Sequence, residues 1–434
     1  MSSSELRSTS KPSPPLTAEE LYSPRYRYYV LALIAGVNLF NYMDRQLIAV
    51  LIDPIKAELG ASDTQMGLLT GIAFAAFYAT FGFPMARWAD RGSRVNVLSF
   101  ALAAWSLMTV LSGFAARFAH LLVARMAMGI GESGGGPASQ SLIADYFPVE
   151  QRARAFAIYV LGASVGILIG GFFGGLIAQT WGWRAAFWIV GAPGIVFAVL
   201  IRLTLKEPVR RGQSELPEGV GLVQRIVYLF RTRAFRHLML ANGILTFSNI
   251  GAAYWTAMYF VRSFDMSLAQ AGGLTGIIGG IAGTASIVGG GVITDRLTPR
   301  SRIWLVRVPV LAAIIAIPFH FGYYLAPSWQ LAFAFGFAAQ IFAHTFAGGL
   351  LSSVHALVGS DERALAAATI MFCASVIGLG LTPLAVGLAS DAFQPSMGDE
   401  SLRWALVCMQ FAPVWGALHL WLASRTFLQE LPAE

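Results

Sequence analysis

The chain has 434 residues, 56% of them hydrophobic and 12% charged, with a mean hydropathy of +0.62 and a formal net charge of +7. A soluble globular domain carries about 25% charge, so this composition excludes a large soluble core and points to a polytopic membrane protein. The positive charge follows loop placement and gives no reason to expect nucleic acid. The two cysteines, Cys373 and Cys408, lie in apolar runs without metal-ligand spacing, so no disulfide framework, metal or cofactor is expected.

Residues 1–27 are rich in Ser, Pro and charge and carry neither a signal-peptide core nor a lipidation motif, which suggests a cytoplasmic tail. Twelve apolar segments follow. The first six span 28–52, 64–88, 95–116, 118–144, 153–179 and 185–205; the second six span 237–261, 268–294, 303–325, 329–357, 364–390 and 402–424. The polar stretch 206–236, broken by Pro208, Gly212, Pro217 and Gly219, reads as a cytoplasmic linker between six-helix domains at 28–205 and 237–427, with 428–434 as a short tail. Basic residues set the orientation. Five of the 30 (Lys56, Arg117, Arg184, Arg262 and Arg403) fall on one side, Arg45 and Arg125 fall inside the apolar runs, and the rest share the side of both termini. Both termini are therefore expected in the cytoplasm, with the chain in a bacterial-type inner membrane.

The halves repeat one another. Ala86-Arg87-Trp88-Ala89-Asp90-Arg91-Gly92-Ser93-Arg94 follows the second segment, and Gly291-Val292-Ile293-Thr294-Asp295-Arg296-Leu297-Thr298-Pro299-Arg300 follows the eighth. A duplicated six-helix unit suits a transporter that rocks two halves about a central site. The first of these loops resembles the loop motif Gly-x-x-x-Asp-Arg-x-Gly-Arg of the major facilitator superfamily, with Ala86 and Ser93 in place of its glycines. Arg125-x-x-x-Gly129-x-Gly131 resembles a further superfamily motif. Gly166-Ile167-Leu168-Ile169-Gly170-Gly171 is similar to the antiporter motif, with Ile167 where that motif has Pro. Within the superfamily, Asn41-Tyr42-Met43-Asp44-Arg45, the run Ala124 to Ser133, and Ile143-Ala144-Asp145-Tyr146-Phe147 leading to Arg152 resemble the Spinster family. The resemblance implies an all-α membrane protein of twelve transmembrane helices in two pseudo-symmetric halves, and a lipid or amphiphile such as a lysophospholipid or sphingosine phosphate as substrate.

Only four Asp, Glu, Lys or Arg residues fall well inside the apolar runs, namely Asp44, Arg45, Arg125 and Glu132. Charge at bilayer depth costs at least about 2.5 kcal/mol per group, so these groups need partners. They are either a fixed ionic lock or a working site, and a pair that breaks during a cycle is both. Arg125 and Glu132, seven residues apart, share one helix face about 10.5 Å apart. Asp44 and Arg45 diverge by about 100°, which assigns Asp44 to the central cavity and Arg45 to a neighbouring acid such as Glu132. A carboxyl whose proton affinity changes as a guanidinium approaches or leaves can couple transport to protons. Asp44 and Glu132 are the candidate carriers, and Arg45 and Arg125 suit an anionic head group.

The second half offers Ser248, Asn249, Tyr254, Trp255 and His344 as candidate substrate contacts, with ordinary packing as the competing reading for the aromatic residues and an interhelical hydrogen bond for His344. A charged half facing an apolar half suits a substrate with one charged and one greasy end. Asp90, Arg91, Arg94, Asp145, Asp295 and Arg296 are candidate gating residues, with Asp90 accepting from a helix N-terminus of the other half. Glycine-rich faces on the fifth and eighth segments permit close packing or sliding. The sequence therefore describes a monomeric secondary transporter for an anionic amphiphile, coupled to protons by alternating access. A carrier of small organic anions such as sugar acids is the alternative. No Walker loop, His-Glu-x-x-His pair or positioned nucleophile suggests an enzyme.

Overall fold

A computed structural model describes residues 21–208, 222–359 and 362–431. The linker and both tails therefore fall partly outside the described residues. Helices occupy nearly all of what is described, and no strand occurs among the described residues. We number the membrane helices α1–α12. In the first half, α1 is Pro24–Val50, α2 joins Asp63–Thr70 to Ile72–Arg91, α3 is Arg94–Ser112, and α4 joins Phe118–Glu132 to Gly135–Tyr146. The run Val149–Thr204 is divided at Gly182, whose φ of 83° takes the left-handed region that glycine enters without strain, giving α5 (149–181) and α6 (183–204). In the second half, α7 covers Arg233–Thr246 and Ala252–Phe264, α8 covers Leu268–Gly276 and Gly283–Leu297, and α9 is Trp304–Leu325. Trp329–Ala343 and Phe346–Leu357 form α10, Arg363–Ala374 and Thr382–Met397 form α11, and Ser401–Met409 and Phe411–Thr426 form α12.

Six runs among the described residues are long and apolar enough to cross a membrane, and two of them, of 55 and 65 residues, are long enough to cross twice. Those six runs omit α1, α4, α7 and α10, the last of which contributes a shorter apolar helix at Trp329–Ala343. Each of these four is polar or interrupted. α1 carries Asp44 and Arg45, α4 breaks at Ser133-Gly134, α10 breaks at His344-Thr345, and α7 widens into a π turn at Phe247–Gly251. Further π turns widen α8 at Ile277–Ala282 and α11 at Ser375–Leu381. Such turns are uncommon and concentrate at functional positions.

Glycine sets how closely the helices approach. Gly162, Gly166, Gly170 and Gly174, one turn apart on α5, lie against Ala35, Leu39, Met43 and Leu47, one turn apart on α1. A Cβ on Gly170 would come within 2.6 Å of the Met43 carbonyl oxygen. The other side of α5 meets α8, with Gly171 against Gly272, Gly175 against Leu268 and Gly280 against Ser164. α2 and α11 repeat this contact between halves, with Gly67 against Pro383 and Gly71 against Gly380. Most of the glycines in these two faces thus serve close packing, whereas Gly289 and Gly291 have open space beside them.

Replacing Gly170 with Val should lower thermal stability in detergent by about 1–3 kcal/mol, the usual penalty of overpacking. Gly289→Ala should leave it unchanged. Equal melting of the two variants would contradict the packing account.

Candidate functional site

The Arg125-x-x-x-Gly129-x-Gly131-Glu132 run shows how the sequence builds the site. A Cβ at Gly129 would lie 2.7 Å from the Phe74 carbonyl oxygen on α2, and one at Gly131 would lie 2.9 Å from the Trp105 nitrogen on α3. The two glycines therefore let α4 close on both neighbours, and this seats Arg125 and Glu132 in the interior. Glu132 Oε2 accepts from Arg45 Nε at 2.9 Å, from Arg45 Nη2 at 2.7 Å and from Asn41 Nδ2 at 2.7 Å. Glu132 is the acid the sequence offered as one possible partner of Arg45.

Asp44 goes elsewhere. It accepts from Thr109 Oγ1 on α3 at 3.1 Å, inside the first half, so the assignment of Asp44 to the central cavity is corrected. Helix geometry fixes the angle between Asp44 and Arg45 but not which of them faces the cavity. Exposure separates the four charges, with Asp44 at 4%, Arg125 at 2% and Glu132 at 2%, while the Arg45 side chain keeps 14%. Arg45 is the most open of them.

Aromatic rings on α2 hold the cations. The Phe74 ring centroid lies 5.0 Å from the Arg45 guanidinium and 4.6 Å from that of Arg125. Tyr42 and Tyr78 each stand 5.6 Å from Arg45. Ring faces attract cations more strongly away from water, so Phe74 relieves two guanidinium groups of like charge. The sequence reading missed Asn41, Phe74, Tyr78 and Thr109 as members of the site. Asn41 stood in the Asn41–Arg45 stretch, the aromatic spacing Phe74, Phe77, Tyr78, Phe81 hinted at the rings, and nothing in the sequence marked Thr109. Hydrogen bonding in the cluster is incomplete. Asp44 Oδ1, Glu132 Oε1, and Arg125 Nε and Nη2 are buried without a partner, and Arg125 Nη1 reaches only the Met128 sulfur at 2.9 Å.

The second-half candidates divide. Tyr254 is buried within electrostatic reach of Arg45 across the two halves. Asn249 donates to the Ala343 carbonyl at 3.3 Å, leaves Oδ1 unpartnered, and lines a cavity of about 10 Å³ with His320 and Phe342. His344 meets Gln340, one turn earlier on α10, at 3.3 Å, so its side-chain contact is intrahelical and not the interhelical bond that competed with a direct role. Ser248 turns to Gln410 on α12, and Trp255 is fully buried with its indole N–H on the Pro383 carbonyl at 3.0 Å. The structure does not bring these last two to the charged cluster, because the π turn in α7 rotates Ser248 away and Trp255 serves the contact with α11.

The gating candidates also divide. Arg94 is buried and pairs with Asp145, with Glu207 at 2.8 Å and with the Pro208 carbonyl at 3.1 Å. Asp90, Arg91, Asp295 and Arg296 are exposed. The helix-capping role expected of Asp90 occurs at the opposite end of the molecule. There Asp391 of α11 accepts from the backbone N–H of Asp63 at 3.1 Å and of Thr64 at 2.8 Å, at the start of α2. Beside it Arg262 of α7 forks between Asp53 and Asp63, reaching Asp63 Oδ2 at 2.7 Å. Asp63 also accepts from Lys56 and Ser390, each at 2.7 Å. This latch joins the halves on the side away from the termini. Outside it, Glu58 is held below the usual carboxylate range by Arg184 and then by Trp183.

The Major Facilitator Superfamily profile matches residues 34–383. The crystal structure of a bacterial homologue of the human lysosomal transporter Spinster, inward-facing and unoccupied, superposes with a TM-score of 0.84 at 31% identity, covering 95% of this chain and all of that one. An MFS-type efflux pump of Mycolicibacterium smegmatis is 29% identical over 95% of this chain and 96% of its own length. The sphingosine-1-phosphate transporter SPNS2 of Danio rerio is 24% identical over 91% of this chain and 83% of its own. The resemblance read from the motifs in α1 and α4 is borne out.

Two outcomes test the site. Glu132→Gln leaves Arg45 without its counter-charge and should cost about 3 kcal/mol in thermal stability, most of which Arg45→Met combined with Glu132→Met should restore. Arg262→Ala should expose the side away from the termini, read as faster labelling of a cysteine placed at Ser390. Labelling at the parent rate would show that the latch holds nothing shut.

Proposed function

The chain belongs to the Major Facilitator Superfamily, as an integral membrane transporter and not an enzyme, and from that premise we propose that it moves an anionic, lipid-like amphiphile by proton-coupled alternating access. The observation that carries this reading is the incompletely satisfied ionic cluster at Arg45, Glu132, Arg125 and Asp44. A permanent lock is stable only when its buried polar atoms are partnered. This cluster leaves capacity for one more proton and one more anion.

In the proposed cycle, the Arg45 guanidinium, the most exposed of the four charges, receives the phosphate or carboxylate of the substrate, which its planar fork can bind in bidentate fashion. As the two halves rock, Arg45 turns from Glu132 to the head group, and Glu132 loses its counter-charge and takes up a proton. Arg125 supports the developing charge, and Asp44 is the second proton carrier. The greasy end of the substrate rests against α7 and α10, where Asn249, Tyr254 and His344 supply neutral contacts. Among the Spinster-type relatives, SPNS2 is named for sphingosine 1-phosphate, which supports an amphiphile. Both termini lie in the cytoplasm of a bacterial-type plasma membrane, following the basic residues. Asp90, Arg91, Asp295 and Arg296 are free to pair when the terminal side closes, and the latch at Arg262 then opens. One chain carries a whole pathway and works as a monomer.

Purified protein in liposomes with an imposed pH gradient tests the reading. The wild type should move a labelled lysophospholipid with protons. Glu132→Gln and Asp44→Asn should abolish proton flux, and Arg45→Lys should weaken substrate affinity more than turnover. Movement of a sugar acid alone would transfer the case to a small-anion carrier, and full transport by both neutralised variants would reduce the cluster to scaffolding.

A further inference from the structure

We propose that the groove between α3 and α6 on the outer surface of the first half is a binding site for an anionic phospholipid of the surrounding leaflet. It is separate from the charged cluster and does not depend on what is transported. The groove encloses about 290 Å³, near the lower end of the ~300–1,000 Å³ range of small-ligand sites. Ala103 and Ala198 line it, together with the exposed side chains of Phe100 and Val199. Small side chains make the hollow, since a larger one on either helix would fill it.

The polarity of the groove is graded along its length. α3 starts at Arg94 and α6 ends at Thr204, so Asn96 and Arg202 stand at the mouth on the side of the termini, and Ala103 lies two turns deeper. Arg202 is exposed, and it makes no ion pair among the described residues. No acid lines the groove. The nearby Glu207 is already engaged by Arg94, by the Ser93 hydroxyl and by the Val95 N–H. Within the groove, Ser99 is 6% exposed, and its buried hydroxyl has no partner.

These features match one ligand class. A phospholipid lying in its own leaflet places an anionic head group at Arg202 and Asn96 and an acyl chain along Phe100, Ala103 and Val199. Basic residues at the membrane surface attract anionic lipid. A zwitterionic lipid carries the same phosphate with a cation beside it, so it would satisfy the apolar part but offset the attraction to the guanidinium.

Native mass spectrometry of the detergent-purified full chain, titrated with phosphatidylglycerol or phosphatidylcholine, tests the proposal. The wild type should retain one phosphatidylglycerol in preference to phosphatidylcholine. Arg202→Ala, a change at an exposed position, should reduce that preference about fivefold, the worth of one basic residue at an anionic surface. Ala103→Leu should fill the groove and remove the tightly held lipid of either kind. Equal retention of the two lipids by the wild type would overturn the proposal. So would phosphatidylglycerol binding that neither substitution alters.

Discussion

Everything in the first half is arranged around one buried bond, that of the Arg45 guanidinium with Glu132. Two charged groups at bilayer depth are costly unless paired, and pairing them requires α1 and α4 to come close at a fixed height. The backbone supplies the approach. Gly129 and Gly131 admit α4 against α2 and α3, and the glycine row of α5 admits α1. Phe74, caught between the two helices that carry arginine, then stabilises Arg45 and Arg125 through its ring. The site is thus a consequence of small residues placed beside large charged ones.

A second constraint acts between the halves. α2 meets α11 and α5 meets α8 through glycines, so each interface consists largely of backbone against backbone. Such surfaces can slide or rock without disturbing long side chains. Specificity for one arrangement comes from polar groups at the end away from the termini, where Arg262 and Asp391 both engage the start of α2. The exposed Asp-Arg pairs at the other end make no ion pair among the described residues. A structure shut at one end and free at the other fits the inward-facing homologue it superposes on.

Much of this was legible in the sequence, for definite reasons. Long apolar runs separated by basic loops announce membrane helices, and rare intramembrane charges announce their own importance. Glu132, named as one possible acid for Arg45, is the one it meets. Spacing could not tell that Asp44 turns to Thr109, because the angle between neighbouring residues does not fix the rotation of the helix that carries them. Nor could it reveal π turns in α7, α8 and α11, which shift every later side chain and turn Ser248 to Gln410. Asp90 and Asp391 illustrate a third limit. Both are acids near helix ends, and spacing does not tell that Asp391 caps the start of α2 while Asp90 is exposed in this structure.

The central claim is that Glu132 exchanges its guanidinium partner for a proton when the two halves rock. Infrared difference spectroscopy on protein in lipid, comparing the parent with Arg262→Ala, reads that exchange directly through the stretching band of a protonated carboxyl. The account predicts no such band from Glu132 while the latch holds, and a band that appears when the latch is removed and disappears in Glu132→Gln. A carboxyl spectrum unchanged by opening the latch would contradict the exchange and leave Arg45 and Glu132 as a fixed strut.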